Sequence, residues 1–281
     1  MMDRGLVRVD VKRFAGRAWR EEPDQIAVEE PLEIRVVTTD QAISQSHPIS
    51  VTMRTPGQDF DLALGFLFTE GVLQTPDCVR KVVYARDGDS EICNRVEVHL
   101  QPEVPFDPSH LSRHVFTSSS CGVCGKISIE SVYQQLPPRT EPPPHFEVRT
   151  ELLSSLPHRL SAAQISFART GGVHACALFD SEGRLELVRE DVSRHNALDK
   201  LIGGLWRTGR LPAEHRILLL SGRASFELIQ KAAMSGLDFV AAIGAPSDLA
   251  IRLADEMGIT LVGFLKADRF NVYCDSGRIA P

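Results

Sequence analysis

The feature that most constrains the fold is a rhythm in the second half of the chain, where short apolar runs alternate with longer amphipathic segments. A helical stretch, ELLSSLPHRLSAAQISFART (151–170), leads into two strands, VHACALFD (173–180) and LELVRE (185–190), joined by the turn SEGR. DVSRHNALDKLIGGLWRTG (191–209) reads as a helix, with Asp191 or Ser193 as its N-cap. There follow an apolar strand RILLLS, a helix RASFELIQKAAMSG ending on glycine and a strand DFVAAIG. A helix PSDLAIRLADEMG, with proline at its start and glycine after it, precedes a last strand ITLVGFL. Strands separated by helices of this length need crossover connections, so the pattern predicts a mixed, largely parallel α/β sheet buried on both faces.

The first half reads differently. PLEIRVV (31–37), ISVTMRT (49–55), KVVYAR (81–86) and RVEVHL (95–100) are short β-prone runs. Between them TPGQDFDLALGFLFTEGVL changes period: Leu62, Leu64, Phe66, Leu67 and Phe68 suit a buried helix, entered through Pro56-Gly57 and left near Gly71. LPPRTEPPPHF (136–146) is the most proline-rich segment. These shifts divide the chain into a strand-rich subdomain at 1–135, a linker at 136–149 and an α/β subdomain at 150–281. With 43% hydrophobic and 24% charged residues, no membrane-length apolar run and no secretory h-region behind the basic MMDRGLVRVDVKRF, the expectation is a cytoplasmic protein without a membrane partner. A net charge of −6 argues against nucleic acid as a partner.

Six cysteines are present, and only Cys121 and Cys124 are close, in RHVFTSSSCGVCGK (113–126). A structural zinc site needs four ligands, and a lone C-x-x-C supplies two, leaving scattered residues such as His114 or His174 for the rest. Zinc deaminase chemistry wants H-x-E and P-C-x-x-C at successive helix starts, but those starts here hold no cysteine. A thioredoxin-like disulfide would sit at a helix start, with Lys126 adding positive charge, yet no strand pattern leads into this one. A third reading is a persulfide carrier, in which a thiolate on a glycine-rich loop accepts a sulfane sulfur and passes it on.

Seven blocks together, SSCGVCGK, TPGQDFDLALGFLFTEGV, TGGVHACALFD, REDVSRHNALDKLIGG, SGRASFELIQKAAMSG, APSDLAIRLADEMGITLVGFL and RFNVY, resemble the FdhD family, the sulfur carrier proteins needed for active formate dehydrogenase. The resemblance runs from about Arg54 to Tyr273 and implies a cytidine-deaminase-like core, consistent with the element order above. It implies a sulfurtransferase that accepts sulfur from a cysteine desulfurase on Cys121, with Cys124 assisting. The acceptor would be the bis-molybdopterin guanine dinucleotide form of the molybdenum cofactor, destined for formate dehydrogenase, and no protein-bound metal is implied. The family's guanine-dinucleotide contact corresponds to Phe264, Leu265, Lys266, Ala267, Asp268 and Arg269. The two guanine halves of such a cofactor suit two equivalent pockets, hence a homodimer. Ser193 stands where the family pattern carries glycine, and Cys176 and Cys274 stand where small or hydroxyl residues are commoner.

A large phosphate-bearing acceptor needs cations and backbone N–H groups, and the helix starts of the second half offer both. RTGGVH contributes Arg169, Gly171, Gly172 and His174, and REDVSRHN contributes Arg189, Arg194, His195 and Asn196. SGRAS contributes Ser221, Gly222, Arg223 and Ser225 at the carboxyl end of a strand, the edge where open α/β sheets bind ligands, and GAPSD adds Ala245 and Ser247. In the first half Arg54 and Asp59 flank a tight turn; proximity to the cysteine loop and capping by Asp59 explain them equally well.

Overall fold

The computed structural model describes residues 5–40, 43–87, 90–107 and 146–281. The chain opens with an antiparallel hairpin, β1 (Leu6–Ala15) and β2 (Ala18–Ala27), which forms a two-stranded sheet by itself. Gly16 and Arg17 both have positive φ at its turn, the geometry that matches a tight two-residue loop to the twist of its strands. The sequence reading took this segment only as a basic N-terminus, passing over the alternation of Val7, Val9 and Val11 with Arg8, Asp10 and Lys12.

A four-stranded sheet follows, from β3 (Glu30–Asp40), β4 (Ile43–Arg54), β5 (Val79–Asp87) and β6 (Ser90–Leu100), in the order β4-β3-β6-β5. Its central pair β3 and β6 is parallel and the outer pairs are antiparallel. Helix α1 (Asp59–Thr69) lies between β4 and β5 in sequence, and a 3-10 turn at Pro76–Cys78 leads into β5. Leu32, Ile34, Val36, Val96 and Val98 form one core with Leu62, Leu64 and Leu67 of the helix. The expected apolar helix is therefore present and buried where the sequence placed it.

The second half begins with β7 (Val148–Arg149), inside the segment read as a linker, paired in parallel with the last strand β14 (Ile279–Ala280). The single helix expected over 151–170 is two, α2 (Thr150–Ala163) and α3 (Ile165–Thr170), because Gln164 leaves helical geometry at ψ 84. Then come β8 (His174–Asp180), β9 (Leu185–Asp191), α4 (Arg194–Arg207), β10 (Arg216–Leu220), α5 (Phe226–Met234), β11 (Phe239–Ala242), α6 (Asp248–Glu256), β12 (Thr260–Gly263) and β13 (Asn271–Cys274). Helices α5 and α6 stop as expected, with Gly236 and Gly258 just beyond them at positive φ.

Six of these strands form one mixed sheet in the order β13-β12-β11-β10-β8-β9. The expectation of a largely parallel sheet needs correction. Only β10, β11 and β12 run parallel, while β8–β9, β8–β10 and β12–β13 pair antiparallel. The short turn at 181–184 makes β8 and β9 a hairpin, and only the helical crossovers give parallel neighbours. Alternate residues of β10 face opposite cores: Leu218 and Leu220 join the cluster with α4, α5 and α6, whereas Ile217 and Leu219 join the one with α2.

Helices α1 and α4 pack the two sheets together. A Cβ on Gly65 would lie 1.9 Å from the Asp199 carbonyl oxygen, and one on Gly203 only 1.8 Å from that of Asp61. Only glycine permits this backbone approach. Trp206 of α4 is buried in the core of the first sheet. Charges cluster around the contact. Asp61 accepts from Arg189 Nη2 at 3.0 Å and Arg207 Nε at 2.9 Å, and Asp199 accepts from Lys231 Nζ at 2.8 Å. Lys231 also donates to Thr69 Oγ1 at 2.7 Å. Arg54 and Asp59 make a buried two-point pair at 3.0 and 3.1 Å, joined by the Tyr84 hydroxyl.

Candidate functional site

The topology collects most of the sequence-predicted residues on one edge of the six-stranded sheet. Parallel strands β10, β11 and β12 end there, while antiparallel β8 and β13 begin there and β9 ends there. His174, the segment 191–196, Ser221–Ser225, Gly244–Ser247 and Phe264–Asn271 therefore share that edge.

Beyond the strands, main-chain rungs continue from loop to loop. Ser221 N–H donates to the Ala175 carbonyl at 3.0 Å, Gly244 N–H to Gly222 at 2.9 Å and Phe264 N–H to Gly244 at 3.0 Å. A Cβ on Gly244 would lie 2.9 Å from the Gly222 carbonyl oxygen, so glycine is what lets these loops touch. Gly222 faces the His174 ring, 3.4 Å from where its Cβ would be. Phe264 adopts φ 52, the left-handed region that a bulky side chain enters at a cost, and its ring is 43% exposed. A solvent-facing aromatic at this edge offers a flat surface on which a planar group can stack.

Cations surround the edge. His174 is half-buried, and burial together with Arg194 and His195 pulls its pKa down, so the ring is neutral near pH 7. His195 Nε2 lies 2.8 Å from Glu227 Oε2 at the start of α5. Arg223, Lys266, Ala267, Asp268 and Arg269 are exposed, and Lys266 N–H closes a turn onto the Arg269 carbonyl at 2.9 Å.

Other expected contacts are committed elsewhere. Asn196 is 5% exposed; its amide donates to the Met53 carbonyl at 2.7 Å and to Asp191 at 3.2 Å, and its oxygen accepts from Thr52. That places it as a stitch between β4 and α4, turned from the edge. Leu265 is fully buried in the core beside α2. Ser221 Oγ accepts from Ala175 N–H at 2.8 Å, continuing the sheet ladder. Arg189 turns to Asp61, and Arg169 donates to Gln25 of the hairpin. Gly172 is exposed, with its Cβ position 3.8 Å from Ala27 of β2. Ala245 accepts the Ala224 N–H, and Ser247 caps α6 by accepting from Ala250 N–H at 3.3 Å. Ser193 occupies the N-cap position of α4 without a side-chain bond; the Asp191 carboxylate instead accepts the Ser193 N–H at 2.9 Å. Asp59 accepts the Gly57 N–H at 3.2 Å besides pairing with Arg54.

Cys121 and Cys124, with Lys126 and His114, lie outside the described residues. Cys176 and Cys274 are buried, and burial pushes both thiols up, away from the reactive thiolate. The sequence reading missed Glu227 and the glycines at 244 and 263. Glycine directly after a strand was the available signal.

Comparison with known proteins supplies the remaining information. The chain is 48% identical over 283 residues to the sulfur carrier protein FdhD of Streptomyces avermitilis, covering 99% of this chain and 97% of that one. It is 47% identical over 266 residues to the protein of the same name from Mycobacterium tuberculosis, covering 92% of each. The crystal structure of a candidate formate dehydrogenase accessory protein from Desulfotalea psychrophila matches with a TM-score of 0.72 at 21% identity, over 98% of this chain and 99% of that one. The model of the FdhD/NarQ family matches residues 27–280. The chain belongs to the FdhD/NarQ family.

Proposed function

We propose that this protein is a sulfur carrier acting in the maturation of formate dehydrogenase. The observation that carries the reading is the 48% identity to a sulfur carrier protein along nearly the whole chain, together with the C-x-x-C at Cys121 and Cys124. The Cys121 thiolate attacks the terminal sulfur of a cysteine desulfurase persulfide; a new S–S bond forms on Cys121, and the donor cysteine leaves as its thiolate. The Cys124 thiolate then attacks the Cys121 sulfur, the Cys121–persulfide S–S bond breaks, a Cys121–Cys124 disulfide forms, and the outer sulfur leaves at the sulfide level for the acceptor.

The acceptor is the guanine-dinucleotide molybdenum cofactor, written here as substrate, and the sheet edge suits it chemically. Arg194, Arg223, Lys266 and Arg269 offer positive charge to its phosphates, and Phe264 offers a stacking face for a flat base. The neutral His174 ring beside Gly222 adds a hydrogen-bonding group. On this reading the six-stranded sheet is a cytidine-deaminase-like core, 1–135 and 150–281 are its two subdomains, and a homodimer in the cytoplasm provides two pockets. A cofactor-binding chaperone without sulfur chemistry is the second reading, favoured by the exposed cations Arg223, Lys266 and Arg269 on the sheet edge.

The test is intact-protein mass spectrometry after incubation with a cysteine desulfurase and cysteine. Wild type should gain one sulfur atom and Cys121→Ser none. Equal sulfur loading of the variant would reassign the carrier cysteine, and no loading of either protein would leave the chaperone.

A further inference from the structure

Arg194 and His195, on the sheet edge, lie in sequence between a pair of buried charges that never reach it. Asp191 ends β9 directly across the ladder from His174 and is fully buried. One carboxylate oxygen accepts Ser193 N–H at 2.9 Å and the Asn196 amide at 3.2 Å. The other accepts Thr55 N–H at 3.1 Å and lies 2.7 Å from Lys200 Nζ. Lys200, 1% exposed, donates in turn to the Thr55 carbonyl at 2.8 Å, and Thr55 Oγ1 accepts Val192 N–H at 3.2 Å. These bonds fall on two segments, Thr55 just past β4 and 192–196 at the start of α4.

The second segment carries Arg194 and His195 to the edge, the latter against Glu227. Its N-cap serine makes no capping bond with its side chain, and β-region backbone at Ser193 precedes the helix. We propose that Asp191 and Lys200 are positioning residues, a buried clamp that uses Thr55, just past the end of β4, to set Arg194 and His195 beside His174. The inference rests on the acceptor-edge reading above. It makes the first half of the chain part of the acceptor site without contributing a ligand contact. Buried charge pairs of this kind contribute little net stability, but losing one partner frees the backbone they hold.

The experiment compares full-length wild type with Asp191→Asn, Thr55→Val and Thr69→Val. Thr69→Val deletes a hydroxyl in the other buried cluster, with Lys231 and Asp199, and serves as the control. Thr55→Val is the milder change should Asp191→Asn not fold. Hydrogen exchange of the 192–196 amides reads positioning directly, and calorimetric binding of guanosine diphosphate reads its consequence. The expected result is exchange faster by about ten-fold and nucleotide affinity weaker by about ten-fold for Asp191→Asn. Thr55→Val should move the same way by less, and Thr69→Val should leave both within about two-fold. Unchanged exchange at 192–196, or an equal effect of Thr69→Val, overturns the clamp. Faster exchange with a wild type that binds no guanosine diphosphate leaves the clamp standing but refutes the acceptor edge.

Discussion

Gly203 and Gly204 are adjacent on α4, and the structure assigns them opposite responses to the same added methyl group. A Cβ on Gly203 would meet the Asp61 carbonyl oxygen at 1.8 Å and the Gly65 nitrogen at 2.7 Å, both backbone atoms of α1. Restoring ordinary contact requires the helices to part by about 1.5 Å, and neither is free to move alone. Separation would stretch the Asp61 bonds to Arg189 and Arg207 and lift Trp206 from the first core. Overpacking that side chains can absorb costs about 1–3 kcal/mol. Against a rigid backbone the upper figure is the floor, so Gly203→Ala should cost at least about 3 kcal/mol despite the better helix propensity of alanine. At Gly204 the nearest atoms are the Arg189 Nη2 at 3.2 Å and the Asp61 Oδ2 at 3.4 Å, tips of side chains that can yield. Gly204→Ala should therefore fall within about 1 kcal/mol of wild type, propensity gain offsetting the displaced arginine. Urea unfolding followed by circular dichroism measures both; the thermal midpoint of Gly203→Ala should drop by roughly 6–12 °C. Equal stabilities of the two variants would refute the close helix crossing.

Two further measurements test the buried charges. Burial, and then the neighbouring Asp59 carboxylate, push the Tyr84 phenol up to about 12. A folded-state value raised above the unfolded one, about 10, gives stability that is complete below about pH 10 and lost as pH climbs toward 12. Tyr84 should ionise late in an ultraviolet titration, and Tyr84→Phe should delete that step; its persistence in the variant would reject the assignment. Burial raises Asp199, and Lys231 holds it in the opposite direction. Lys231→Met should cost about 3–5 kcal/mol near neutral pH by leaving a buried carboxylate unpaired. With the folded pKa raised above the unfolded value, that penalty grows as pH rises and shrinks toward about pH 5, so midpoints of variant and wild type should converge on acidification. A pH-independent gap would mean Asp199 is not the group responsible.

Local chemistry made the second half legible. Glycines one or two residues past α5 and α6 marked where those helices end, and runs such as RILLL could only be strands buried on both faces. The shared edge of β10, β11 and β12 also followed, since the helix after β10 and the helix after β11 each make the next strand a parallel neighbour. What escaped the sequence depends on contacts across long separations. Lys200, Asp199 and Asp61 look like a solvated helix face when read locally, and only the meeting of α1 with α4 buries them. Asn196 reads as a ligand group beside Arg194 and His195, yet one helical step turns its amide onto Met53. In the β1–β2 hairpin the alternation of Val7, Val9 and Val11 with charges was readable, but its partner AWREEPDQIA, with a proline inside it, shows no period of two.

The helix crossing also sets a timetable. Thr69, the last residue of α1, is made 125 residues before Arg194, the first of α4. At roughly 5–20 residues per second, this helix waits on the order of 6–25 s for the segment that covers it. During that interval the glycine-lined face of α1 and the place later filled by Trp206 remain open. The nascent chain thus has a built-in period of exposure, ended only when α4 leaves the ribosome, and that is the stage of its life at which a holding chaperone has the most surface to bind.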